Sequence, residues 1–176
     1  MIKKNLTAGQ ILESMRENWA EVDDPVHEFI IYLNRIRDLG LAQARERMAA
    51  FNLSPSEFDI LVTLRRSPPP FVLSPTELQG AVLITSGGLT KLFYQLEERG
   101  LIRRPAPAPA HDKRSKLVQL TGKGRKTAER AMAAVMDEDR QLIGDTLTSL
   151  ELARLNRLMA KTARAFEGRR SSGCKP

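Results

Sequence analysis

Three helix starts written in the same chemistry constrain the fold of this chain more than any other feature. Ser54-Pro55-Ser56-Glu57, Ser74-Pro75-Thr76-Glu77 and Thr148-Ser149-Leu150-Glu151 each put a hydroxyl at a helix N-cap and a glutamate three residues later. The hydroxyl can accept an orphan backbone N–H while the glutamate reaches back to the N–H of the cap residue. In the first two boxes proline takes the first helical position, where its missing N–H costs nothing. Helices therefore begin near residues 55, 75 and 149. Pro68-Pro69-Pro70 cannot continue a helix and reads as a linker.

Around these fixed points the hydrophobic spacing supplies further elements. Residues 1–24 read as an arm or short helix containing Trp19. Pro25 follows two aspartates and opens a long helix, with Val26, Phe29, Ile30, Leu33, Ile36, Leu41, Ala44 and Met48 as its apolar face. Phe58, Leu61, Val62 and Leu64 point the next helix inward. The helix from 75 is short, because Thr85-Ser86 starts another whose Leu89, Leu92, Phe93 and Leu96 form a buried stripe. Ser86, Gly87, Thr90, Lys91 and Tyr94 fall on its opposite face, and Gly100 ends it as a left-handed cap. Residues 101–104 and 116–120 read as paired strands around Pro105-Ala106-Pro107-Ala108-Pro109-Ala110 and the basic run His111-Asp112-Lys113-Arg114. A helix after Thr121 (Ala128, Ala131, Met132, Val135 and Leu142 inward) breaks near Gly144. The last helix carries Leu155, Leu158, Met159 and Phe166, and residues 169–176 read as a disordered tail.

Charge is distributed unevenly along this framework. The net charge is +7, yet residues 99–126 contain nine Lys or Arg against the single acid Asp112, and the rest of the chain is close to neutral. A basic excess confined to one segment is the footprint of a phosphate-contacting surface. A short helix, a tight turn and a second helix with a small, polar outer face make a helix-turn-helix, and two strands joined by a basic loop make a wing. Small residues at the start of the second helix (Ser86, Gly87, Gly88, Thr90) allow close approach to base edges and phosphates. The two glycines would equally serve close helix packing. The fold class expected is mainly α with a small β wing: a winged helix-turn-helix lobe with a helical dimerisation region.

The stretch from Leu73 to Lys123 resembles the multiple antibiotic resistance regulator (MarR) family. The residues that carry the likeness are Ser74-Pro75-Thr76-Glu77-Leu78, Thr85-Ser86-Gly87-Gly88-Leu89-Thr90-Lys91, Leu96-Glu97-Glu98-Arg99-Gly100-Leu101-Ile102, Asp112-Lys113-Arg114-Ser115 and Val118-Gln119-Leu120-Thr121. With the flanking helices the resemblance covers residues 25–168. It implies a homodimer built from residues 25–53 and 122–168, and a DNA-binding lobe over 54–121 with the helix-turn-helix at 74–99 and the wing at 101–120. By the same resemblance Ser86, Gly87, Thr90 and Lys91 face the major groove of double-stranded DNA, Arg114 reaches the minor groove, and Asp112 supports the wing. Ser74, Thr76, Thr85, Tyr94, Arg103, Lys113 and Lys116 complete the expected DNA-contacting set. The long Pro-Ala wing departs from the family pattern.

The family also implies a cleft for small aromatic or lipophilic effectors. Trp19 and Asp59 resemble its urate-responsive branch, but Leu92 stands where that branch needs an arginine, which argues against urate. His27, Tyr32, Arg35 and Arg65 are further candidates for an anionic aromatic, or are ordinary helix-surface residues. No cofactor is expected. The only histidines are His27 and His111, and the one cysteine, Cys174, lies in the tail, so zinc spacing, a catalytic triad and a redox switch all lack their residues. No apolar run approaches the roughly 18 residues of a membrane span, and a cytoplasmic protein without membrane contact is expected. The reading is a repressor released by its effector. A constitutive regulator or activator and a protein-docking winged helix are the alternatives, and an enzyme has no residues to rest on.

Overall fold

The computed structural model describes residues 6–82, 86–105 and 117–172, with the backbone alone described for Ala20, Ser86, Gly87 and residues 169–172. The order of elements is α1 (Ala8–Asn18), α2 (Pro25–Ala49), α3 (Pro55–Arg66), β1 (Val72–Leu73), α4 (Pro75–Val82), α5 (Ser86–Glu98), β2 (Ile102–Arg103), β3 (Val118–Leu120), α6 (Gly122–Thr146) and α7 (Ser149–Ser172). Two compact units result, residues 1–132 and 133–176.

All three capping boxes form. At α3, Glu57 N–H donates to Ser54 Oγ (3.3 Å) and Ser54 N–H to Glu57 Oε2 (2.8 Å). Ser74 with Glu77 and Thr148 with Glu151 repeat the pattern at α4 and α7. Asp24 caps α2 by accepting from Val26 and His27 N–H. Thr7 and Gln10 make a further box at α1. Of the arm or short helix expected over residues 1–24, the helix runs from Ala8 to Asn18 and Trp19 is its C-cap.

The boxes carry a pH signature. The backbone N–H and then the hydroxyl of Ser74 hold the Glu77 carboxyl below its ordinary value of 4.5, and Thr148 does the same for Glu151, hydroxyl first. A depressed native value means a contribution to stability that is complete above 4.5 and is lost as pH falls through the lowered value. Urea midpoints followed from about pH 7 to about pH 3 should therefore fall less steeply in Glu77→Gln and Glu151→Gln than in the parent. Parallel curves would show that these caps contribute nothing through their charge.

In the first unit the core lies under the helix-turn-helix. Ile60, Leu61 and Leu64 of α3, Leu78 of α4, Leu96 of α5 and Val118 of β3 are fully buried, closed by Leu101, Ile102 and Leu120 and by Ala128 and Ala131 of α6. The sheet is antiparallel in the order β1-β3-β2. Val72 pairs with Gln119, Ile102 with Leu120 and Arg103 with Gln119. The two-residue strand β1 has no counterpart in the sequence reading, since two residues carry no periodicity.

The apolar face of α2 is real but incompletely covered within one chain: Val26 is 69% and Ile36 70% exposed. In the second unit Leu142, Leu150, Leu155, Leu158 and Phe166 are likewise exposed. Of these only Leu142 was expected to point inward, and in a single copy it is 54% exposed. α7 continues to Ser172, over the first four of the residues 169–176 that read as a tail, and residues 173–176, Cys174 among them, lie outside the described residues.

Candidate nucleic-acid interface

The lobe presents α5 with one face in the core and the other in solvent. Leu89, Phe93 and Leu96 are buried, while Thr90 and Lys91 are exposed and Tyr94 is 77% exposed. The intervals of three and four that bury the leucines also push these polar residues outward together. Thr76 is exposed on the first turn of α4. Ser74 is not free for a partner in the same way: its hydroxyl donates to Glu77 Oε2 (2.7 Å) and accepts from Glu77 N–H. Thr85, Lys113, Arg114, Lys116 and Asp112 lie outside the described residues, as does the side chain of Ser86.

The C-terminal end of α5 is closed by a complete Schellman motif. Gly100 has φ 67°, its N–H donates to Glu97 O (2.9 Å), and Leu101 N–H donates to Leu96 O (2.9 Å). Glycine is needed there because a Cβ disfavours this left-handed geometry. The wing begins directly beyond it. Thr121, the N-cap of α6, donates its hydroxyl to Gly100 O (2.7 Å) and Leu101 O (3.1 Å) and accepts from Gly124 N–H (2.9 Å). Lys123 Nζ donates to Arg99 O (2.8 Å). Gly124 faces the Leu101 carbonyl so closely that a Cβ there would collide with it. One junction thus fixes the C-terminus of α5, the wing base and the start of α6.

Polar contacts across the wing base add to this. Between buried Val118 and Leu120, Gln119 accepts from Arg103 Nε (2.9 Å) and donates to Pro70 O (3.0 Å), tying all three strand ends together. The Arg104 guanidinium lies 5.1 Å from the Phe93 ring centroid and 4.0 Å from Glu97, joining β2 to α5.

These contacts refine the charge argument. Arg99 is paired with Glu57 (2.9 Å), Arg104 with Glu97 and Arg125 with Glu129 (4.0 Å). Among the described residues, Lys91, Arg103, Lys123 and Lys126 carry charges with no acid partner. The local excess is therefore smaller than a count of bases suggests, and it is gathered on α5, the wing base and the first two turns of α6. Sequence reasoning missed the second role of Glu57, the pairing of Arg99, and Gly124. The capping box was the only available signal for Glu57, and it accounts for only half of what the residue does.

The six effector candidates are spread over three places. Trp19 closes α1 and is exposed; His27, Tyr32 and Arg35 lie along α2; Asp59 and Arg65 lie on α3. No hydrogen bond or ion pair joins any two of them among the described residues. Arg65 is already engaged, donating Nε to Glu129 Oε1 (2.7 Å) with its guanidinium 5.3 Å from the Phe71 ring centroid. Partial desolvation raises the Asp59 carboxyl above its ordinary value, with Arg66 opposing. Among the described residues no group of three His, Cys, Asp or Glu could hold a metal ion, and no helix is long and apolar enough to cross a membrane.

Comparison with known proteins agrees with this architecture. A sequence model of the MarR family matches residues 51–115. The HTH-type transcriptional regulator PecS of Dickeya dadantii is 30% identical over 139 residues, covering 78% of this chain and 82% of that protein. A Mycobacterium tuberculosis MarR family protein, solved in complex with p-aminosalicylic acid, matches with a TM-score of 0.59 at 27% identity over 75% of this chain and 95% of the other. NadR in complex with 4-hydroxyphenylacetate matches with a TM-score of 0.60 at 26% identity, over 76% and 90% of the two chains.

Proposed function

From the premise that this chain belongs to the MarR family of winged helix-turn-helix, DNA-binding transcriptional regulators, we propose that it is a homodimeric repressor that binds a palindromic operator and is released by a small aromatic effector. The observation that carries this reading is α5, held rigidly at its C-terminal end and exposing Thr90, Lys91 and Tyr94 together. In this reading Ser86, Gly87, Thr90 and Lys91 enter the major groove. Thr76, Thr85 and Tyr94 flank them, and Ser74 acts through the cap of α4. Arg103, Lys113 and Lys116 contact phosphate, and Arg114 enters the minor groove from a wing supported by Asp112.

Homodimerisation follows from the apolar residues of α2, α6 and α7 that one chain leaves exposed. Symmetric pairing is the commonest way to cover such a surface. Two copies then present two α5 helices, and two major-groove half-sites on one face of DNA lie about 34 Å apart. That spacing is what an effector can alter, and it can do so only by binding one arrangement of the dimer more tightly than another. Two structurally similar proteins were solved with monocyclic aromatic acids, which supports an effector of that class. Trp19, His27, Tyr32, Arg35, Asp59 and Arg65 are the residues proposed to border its site.

The test has three readouts on one preparation. Sedimentation at micromolar concentration should give a dimer of the 19.7 kDa chain. Fluorescence anisotropy with a duplex selected by the protein from genomic fragments should show specific binding. Phenolic acids added to that complex should quench or shift the fluorescence of the single tryptophan, Trp19, while releasing DNA about 5- to 150-fold. A stable monomer overturns the dimer, and compounds that bind without altering DNA affinity overturn effector control.

A further inference from the structure

Glu57 sits at the N-terminus of α3, and its side chain is only 9% exposed. Its two oxygens serve different helices. Oε2 accepts from Ser54 N–H and Oγ (both 2.8 Å), completing the α3 cap. Oε1 accepts from Arg99 (2.9 Å), which follows the last residue of α5 and lies 42 positions away in sequence. Arg99 also offers its carbonyl to Lys123 of α6 (2.8 Å), and the Schellman turn at Gly100 comes next. A largely buried carboxylate thus grips the end of the helix that carries Thr90, Lys91 and Tyr94.

We infer that Glu57 is a positioning residue for sequence discrimination: through Arg99 it sets the orientation of α5 from the end remote from the DNA face. The inference rests on the reading of α5 as the recognition helix. Base contacts demand hydrogen-bond geometry, whereas phosphate contacts tolerate small shifts because they are largely electrostatic. A slightly released α5 therefore keeps much of its general affinity for DNA and loses preference for its own site. A cap with no further role would lower stability and leave that preference alone.

The two roles separate by mutation. Ser54→Ala removes the cap hydroxyl and leaves the Glu57–Arg99 pair. Glu57→Gln offers one acceptor oxygen where two are used, so it cannot satisfy both Ser54 N–H and Arg99. Arg99→Gln removes the pair from the other side, and Arg99→Lys retains the charge. Each variant is titrated, well below its melting temperature, with a duplex the parent selects from a random-sequence library and with a scrambled duplex of equal length. The expected result is a fall of about tenfold in the ratio of the two affinities for Glu57→Gln and for Arg99→Gln. The Glu57→Gln/Arg99→Gln double variant should be no worse than either alone, Arg99→Lys should recover part of the ratio, and Ser54→Ala should keep it within about twofold. An unchanged ratio in Glu57→Gln overturns the inference, as does an equal loss in Ser54→Ala. A parent protein that selects no duplex at all counts instead against DNA recognition by α5.

Discussion

Gly124→Ala is expected to destabilise the DNA-binding lobe by roughly 3 kcal/mol, the upper end of what overpacking ordinarily costs. A Cβ at this position would run into the Leu101 carbonyl, with Leu101 C at 2.8 Å and Leu120 Cδ1 at 2.9 Å. The leucine side chain could turn aside, but the carbonyl cannot, because it accepts from both the N–H and the hydroxyl of Thr121. The obstacle is backbone held by the same turn that starts α6. At about 2–4 °C per kcal/mol for a chain of this size, the melting temperature should fall by roughly 6–12 °C. Gly144→Ala is the matched comparison. It lies in the same helix with nothing within 4 Å of the added methyl, so it should gain up to about 1 kcal/mol from helix propensity. Equal melting temperatures for Gly124→Ala and the parent would mean that α6 does not approach the wing base as described.

How far the chain could be read without coordinates depended on whether the relevant physics was local. Capping boxes are local: hydroxyl and carboxylate lie three residues apart, so the starts of α3, α4 and α7 were legible to the residue. The alternation that buries Leu89, Phe93 and Leu96 and exposes Lys91 and Tyr94 is local too, and so is the left-handed turn at Gly100. β1 was missed because its two residues become a strand only by pairing with β3, 47 positions further on for Val72 and Gln119. Gly124 looked like any other glycine in a helix, and Arg99 like one more base in a basic window. Their partners, Leu101 and Glu57, are fixed by tertiary packing. The apolar face of α2 was legible as a face, but its spacing does not tell that Val26 and Ile36 stay exposed in a single chain. At Ser74 the local signal carries two readings at once, since the hydroxyl expected to meet DNA also donates to and accepts from Glu77 in the cap of α4.

Lys91→Glu should abolish specific DNA binding while leaving the fold intact. Lys91 lies on the exposed face of α5, makes no ion pair among the described residues, and is one turn from Tyr94. Reversing its charge removes one contact per subunit and adds a repulsion to phosphate, and the proposed dimer suffers the change twice. A good contact to a base edge is worth about 1–3 kcal/mol, so two lost contacts amount to about 2–6 kcal/mol, or roughly 30-fold to 10⁴-fold in affinity. Lys91→Ala should fall near the lower end, because it loses the contact without the repulsion. The salt dependence then tells which contact was lost. If Lys91 meets phosphate, Lys91→Ala lowers affinity for the selected and scrambled duplexes alike and reduces the slope of log K against log salt by about 2, one unit for each subunit. If it meets a base, the slope holds and only the preference for the selected duplex collapses. Circular dichroism and melting temperature should match the parent in both variants, since an exposed lysine with no ion-pair partner contributes little to folding. Parent-like affinity in a folded Lys91→Glu dimer would remove the exposed face of α5 from the interface and with it the principal support for this mode of DNA recognition.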